Sequence, residues 1–188
     1  MSVGREERKA WAREALIGVE NVTMPSFTLD FSDLDEAGIR WDVERAVEHG
    51  FFSTMCALET GLTTEEAKRF LEIVTDQAAG RILVSFTLLN DSFEQSVELL
   101  QHAEQVGCSH ALLGYPQTFR PGSPDDIYAA TAELAEASNV GLVLYASDKF
   151  DFARFHPSHI PFEAYDRIAE LPTVLKQIDE LLRHGERP

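Results

Sequence analysis

The stretch Gly141 to Ala146, G-L-V-L-Y-A, decides how the rest of the chain is read. It is short, apolar and β-rich, with helical patterns on both sides. That context predicts a buried parallel strand, since half of a hairpin would alternate polar and apolar residues. Polar residues that close a parallel strand are where such folds place their chemistry, and Tyr145 is the clearest of them.

The same design recurs along the chain: apolar runs begin near residues 19, 51, 82, 110, 140 and 173. Strands are expected over Val19 to Met24, Phe51 to Ala57, Ile82 to Thr87 and His110 to Tyr115. Residues 173–175 read as a short sixth strand or as the start of a helix. Between the runs lie helical segments with recognisable ends. The chain opens with a helix over 4–17, with Trp11, Ala15 and Leu16 as its apolar stripe. Ser32-Asp33-Leu34-Asp35 offers caps for a helix to Gly50 that turns Ile39, Val43, Ala46 and Val47 inward. Thr63-x-x-Glu66 is a capping box for a helix closed by Gly80. Ser92 or Asp91 caps the next, which ends at Gly107, and Asp125 and Asp126 favour a helix start. A further helix is expected from about Pro161 to Glu170.

The runs recur about every thirty residues, the size of one strand–helix unit. Parallel strands joined by helical crossovers form either an open doubly wound sheet or a barrel. The first strand ends in T-M-P-S-F-T, without a G-x-G-x-x-G turn or a phosphate loop, which favours the barrel. The expected fold is therefore α/β, of the (β/α)8 TIM-barrel type. The barrel is expected to be incomplete, with five to six parallel strands and an N-terminal helix. A single domain spans 1–188: the helix 1–17, strand–helix units 18–176 and a helical tail 177–188.

The bulk numbers exclude several functions. A formal net charge of -16 argues against nucleic acid and anionic membranes. No apolar stretch approaches the roughly 20 residues of a membrane helix, and no signal-peptide core opens the chain, so a cytoplasmic protein is expected. Cys56 and Cys108 fall at opposite ends of a parallel sheet and are expected to be free thiols. Lysine is scarce, with Lys9, Lys68, Lys149 and Lys176 against twelve arginines.

With the strand ends placed, the chain resembles the dihydrodipicolinate synthase and N-acetylneuraminate lyase family of class I aldolases. G-V-E-N-V-T-M-P-S-F-T-L-D resembles that family's first strand, and E-T-G-L-T-T-E-E-A-K-R-F its E-x-x-x-L-t-x-E-E segment. Y-P-Q-T-F-R-P is similar to its P-Y-Y loop, L-V-L-Y to its L-Y-N-x-P strand, and L-P-T-V-L-K to the approach to its Schiff-base lysine. The resemblance implies that Tyr145 is the proton-relaying tyrosine, Lys176 the lysine that condenses with a 2-oxo acid, and Glu59 the end of the G-T-T-G-E loop. Three departures stand out. Met55-Cys56-Ala57-Leu58-Glu59 lacks both hydroxyls of that loop and leaves Cys56 as a poor replacement. Gln117 and Thr118 occupy the paired-tyrosine positions. The run from Pro172 to Lys176 is about two residues short.

The implied activity is a lyase or aldolase that forms a Schiff base between Lys176 and a 2-oxo acid such as pyruvate. It would use no cofactor, and Tyr145 would move protons. A lysine suits that role when burial keeps it neutral, and Lys176 instead becomes a surface lysine if it begins the last helix. Glu59, Cys56, Thr87 and Thr118 are expected around the substrate. Lys149 and Arg154, in the loop after the Tyr145 strand, could hold its carboxylate. His156 and His159, three apart in a proline-broken loop, lack helical geometry and a clear third ligand, so no metal is expected. At 188 residues against ~250 for a closed barrel, the alternatives are a catalytically silent barrel remnant acting as a binding or assembly subunit, or a truncated enzyme. Exposed strand edges would favour a homo-oligomer.

Overall fold

The computed structural model describes residues 3–145, 147, 149–150 and 152–175. After a 3-10 turn at Arg5–Glu7, the elements alternate. They are α1 (Arg8–Ala15), β1 (Glu20–Thr23), α2 (Glu36–Glu48), β2 (Ser53–Cys56), α3 (Thr64–Ala78), β3 (Leu83–Leu88), α4 (Phe93–Val106), β4 (His110–Leu113), α5 (Pro124–Ala137), β5 (Gly141–Leu144), α6 (Phe162–Ile168) and β6 (Val174–Leu175). All strand pairs are parallel, and the sheet runs in chain order from β1 to β6. A doubly wound sheet reverses direction at its centre, whereas this unbroken order is that of a barrel wall. Among the described residues β1 and β6 remain edges, so the barrel is open. The ambiguous sixth segment is a strand, fixed by Leu142 N–H donating to Thr173 O at 2.8 Å.

Local chemistry sets the helix ends. Asp35 caps α2 by accepting from Gly38 N–H at 3.1 Å. Thr63 and Glu66 form the expected capping box on α3. Ser92, the first of the two expected candidates, caps α4. On α5 the cap is Ser123, with Asp126 closing the box, so the acidic pair read from sequence sits inside the first turn. Gly107 ends α4 at φ 94°, a left-handed conformation that glycine adopts at no steric cost.

The register separates two faces. Thr23, Cys56, Phe86, Ala111, Leu142 and Val174 stand abreast, all buried, and pack toward the helices. Ile39 and Val43 of α2, Phe70 and Val74 of α3, and Leu100 of α4 complete this core. The alternate row, Val22, Met55, Ser85, His110 and Gly141, faces the barrel interior.

Helix α1 departs from expectation. Its buried residue is Arg8, while Trp11, Ala15 and Leu16 are only half-buried. Basic side chains of α1 and of the 3-10 turn before it reach across the floor of the barrel. Arg5 donates to Ala135 O near the end of α5, Lys9 Nζ donates to Ala169 O at 2.7 Å beyond α6, and Arg8 reaches Ser109 O at 3.5 Å. Arg5 and Lys9 there meet carbonyls at the carboxyl ends of α5 and α6, where cations favour the negative ends of the helix dipoles.

Candidate active site

The carboxyl ends of β2, β3 and β5 share one end of the sheet. Thr87, the penultimate residue of β3, is 2% exposed. Its Oγ1 accepts from Leu58 N–H at 2.8 Å and donates to the Glu59 carboxylate, in the turn after β2. Thr87 and Glu59, twenty-eight positions apart, are thus brought together. Beside them a cleft of about 450 Å³ opens between α3 and α4, with Glu59, Thr63, Asn90, Asp91 and Gln95 on its walls.

Tyr145 follows β5 directly and is half-buried. Its ring meets Phe150 edge to face at 6.3 Å, and its backbone carbonyl accepts from Tyr165 OH at 3.4 Å. Leu175, which ends β6, lies against Gly141 on the inward face: a Cβ on that glycine would come within 2.7 Å of Leu175 Cδ1. Any larger residue there would require the leucine side chain to shift. Lys176, the next residue, lies outside the described residues.

The remaining expected site residues are dispersed. Cys56 is fully buried on the helix side of the sheet, where loss of hydration pushes its thiol well above the ordinary value. It is a core residue, which corrects its reading as a stand-in for a site hydroxyl. Register decides this: Cys56 stands beside Phe86 in the helix-facing row, and Thr87 belongs to the other row. Thr118 is exposed in the turn that Phe119 N–H closes on Pro116 O at 2.9 Å. Lys149 is exposed, its backbone N–H donating to Ser147 Oγ at 3.2 Å. Arg154 is exposed and stacks over Phe155 at 4.9 Å. Both cysteines are free. Among the described residues no group of three or more His, Cys, Asp or Glu could hold a metal ion.

Sequence reasoning missed a polar cluster inside the barrel. Ser85 Oγ donates to Glu20 Oε1 at 2.6 Å, and His110 Nε2 stands 3.1 Å from the same oxygen. Burial acts to raise the Glu20 carboxyl, but the hydrogen bonds from His110 and Ser85 outweigh it and hold the group below the usual carboxylate range. The available signal was His110 opening the otherwise apolar strand β4, with the charged Glu20 opening β1.

Comparison with known proteins agrees with this architecture. No family model matches the chain. The 4-hydroxy-tetrahydrodipicolinate synthase of Methanopyrus kandleri is 30% identical over 132 residues, covering 68% of this chain and 44% of the relative. Among solved structures, N-acetylneuraminate lyase from Fusobacterium nucleatum superposes with a TM-score of 0.72 at 16% identity, covering 89% of this chain and 58% of that one. A prophage protein of the dihydrodipicolinic acid synthase family from E. coli K12, in complex with pyruvate, gives 0.63 at 21% identity, covering 69% and 44%. The chain spans about half the length of the curated relatives it matches. No helix among the described residues is long and apolar enough to cross a membrane. The ordered strand–helix units and the similarity to these synthases place the chain in the dihydrodipicolinate synthase and N-acetylneuraminate lyase family, as a divergent member.

Proposed function

We propose that the chain is a lyase-type enzyme of the class I aldolase group that forms a Schiff base between Lys176 and a 2-oxo acid such as pyruvate. The observation that carries this reading is β6: Val174–Leu175 pairs in parallel with β5, so the chain reaches position 176 from a strand beside the one that Tyr145 follows. The related prophage protein was crystallised with pyruvate, which supports a 2-oxo acid as the ligand class. In the reaction, the lysine amine adds to the keto carbon, the carbonyl oxygen leaves as water, and an iminium forms. The Tyr145 hydroxyl would exchange a proton with the carbon next to the iminium as the carbon–carbon bond forms or breaks. Thr87 and Glu59 would shape the neighbouring wall. With Cys56 in the core and Ala57 carrying no hydroxyl, β2 supplies no proton donor there. A reaction other than the family's lysine-pathway condensation therefore fits better.

Borohydride reduction in the presence of pyruvate, followed by peptide mapping, tests the reading. The expected result is a pyruvate-derived secondary amine on Lys176. Folded protein without an adduct at that residue would overturn it.

One observation favours a second reading, a binding or assembly subunit. Ile17, Val19, Val22 and Met24, on or beside the unpaired edge strand β1, are 68%, 68%, 48% and 52% exposed. An apolar edge of this kind invites a partner strand or a second copy. Light scattering decides it: a monomer at micromolar concentration removes the self-assembly form of this reading.

A further inference from the structure

At the amino ends of β3 and β4 a cavity of about 460 Å³ opens under α1. Its apolar walls include Trp11 on α1, Ile82 and Val84 at the entry to β3, and Val106 at the end of α4. Among the described residues two charged side chains line it, Arg8 and Glu104.

Arg8 is 7% exposed, and its guanidinium has more donors than the protein gives it acceptors. Nε is buried with no acceptor, and Nη1 meets Ser109 O only at 3.5 Å. No described residue accepts from Nη2. The guanidinium carbon stands 5.3 Å from the centre of the Trp11 ring. Burial pushes the guanidinium below its ordinary value, and attraction to Glu104 offsets only part of that. Buried donors in native proteins are normally paired, so these lack an acceptor.

The other polar groups at the cavity already have partners. Glu104 Oε1 accepts from Asn139 Nδ2 at 2.6 Å, and Oε2 accepts from Asn139 N–H and Ser138 Oγ, each at 3.0 Å. Ser109 Oγ donates to Val84 O at 2.9 Å. Carbonyls closing α4 accept from Gly107 and Cys108 N–H, and Arg81 holds those closing α3. The ligand's charge follows from the same walls. An anion would be repelled by Glu104 and by the carboxyl ends of two helices, and a cation would be repelled by Arg8. An uncharged carbonyl oxygen gives the guanidinium its acceptor without either repulsion.

We propose that this cavity is a second binding site, for a small uncharged carbonyl compound with an apolar body. Its oxygen accepts from Arg8 Nη2, and its body lies against Trp11, Ile82, Val84 and Val106. The site does not depend on the imine reading, whose chemistry lies at the carboxyl ends of the strands.

Trp11 reports on the cavity directly, because the chain has two tryptophans and the other, Trp41, is 62% exposed on α2. The full ¹⁵N-labelled chain is titrated with benzamide while the Trp11 indole N–H resonance is followed, Trp41→Phe supplying its assignment. Benzoate and benzylammonium have nearly the same size, and carry a charged acceptor and no acceptor respectively. A saturable shift is expected with benzamide, with at least about tenfold weaker binding of benzylammonium, as loss of a hydrogen bond to a charged group implies. Benzoate should also bind more weakly than benzamide. Arg8→Met, which keeps the apolar stem, should abolish the preference for benzamide over benzylammonium. If that variant fails to fold, the three ligands compared in the unaltered protein decide alone. A Trp11 resonance that ignores benzamide, or that answers benzylammonium or benzoate as strongly, overturns the proposal.

Discussion

Replacing Glu20 with glutamine isolates the electrostatic part of the polar cluster inside the barrel. Glutamine keeps the length and can still accept from Ser85, so the principal loss is the charge facing His110. A hydrogen bond to a charged group contributes about 1.5–3 kcal/mol. The Glu20 side chain is 25% exposed, and water screens part of that, so the expected cost at pH 7 is about 1–2 kcal/mol. The sign of the pH dependence follows from the direction of the shift. The folded-state carboxyl lies below its ordinary value of 4.5, so its stabilisation is fully present above that value. It is lost as pH falls through the lower folded value, where the protonated acid resembles the amide. Urea denaturation of both proteins at pH 7 and below pH 4 measures the gap. Carboxylates common to both proteins, including Asp30 and Glu44, each held at about 2, cancel in the difference. A gap that is absent at pH 7, or equally large in acid, would show that the Glu20 charge does not hold the cluster.

Other outcomes follow from the same geometry. Thr87→Val leaves the Leu58 N–H buried without its acceptor and should cost about 1–3 kcal/mol in denaturant unfolding, with Thr87→Ser recovering most of it. Phe86→Ala empties a fully buried site at the centre of the sheet and should cost about 3–5 kcal/mol by the same measurement. Burial pushes the Cys108 thiol up to about 12 and Cys56 higher than its ordinary range, so neither should react with a thiol reagent at pH 8 until urea is added. Tyr145→Phe should lower turnover of the proposed reaction by about 10²–10⁴-fold, measured by 2-oxo acid consumption, while leaving the unfolding midpoint nearly unchanged.

The elements were legible because their signals are local. Thr63-x-x-Glu66 and Gly107 mark ends through bonds made within a few residues, and the structure shows those bonds. The strands came out shorter than the apolar runs, since Tyr115 and Tyr145 continue the hydrophobicity past the last ladder pair. Which way a residue faces was not legible. Both faces of a parallel sheet are largely buried, so the period-two alternation that would assign faces is weak. Cys56 was misread for this reason, and its position beside Phe86 appears only once β2 and β3 are in register. The Glu20–His110 pair spans ninety positions and three strand–helix units, and no local pattern links its members. Arg8 breaks the usual rule that apolar residues are the ones turned inward, because a barrel floor presents loop carbonyls such as Ser109 O as well as side chains.

The hydroxyl on β3 also limits how protons can move at the candidate site. Thr87 has one hydroxyl hydrogen, and Glu59 takes it, while the oxygen accepts from Leu58 N–H. Thr87 therefore holds the β2–α3 turn and has no proton left to pass to Tyr145 without first releasing Glu59. If the imine reading holds, Tyr145 exchanges its proton with the substrate or with water, and Thr87 acts as a positioning residue. The two roles separate experimentally. Thr87→Ser keeps the hydroxyl and should leave the pH profile of turnover in place. Thr87→Val should raise KM through a displaced Glu59 more than it lowers kcat. A Thr87→Val variant that matched Tyr145→Phe in its loss of kcat, with KM unchanged, would place the threonine in the proton path. That result would mean the Thr87 hydrogen is not committed to Glu59 during turnover.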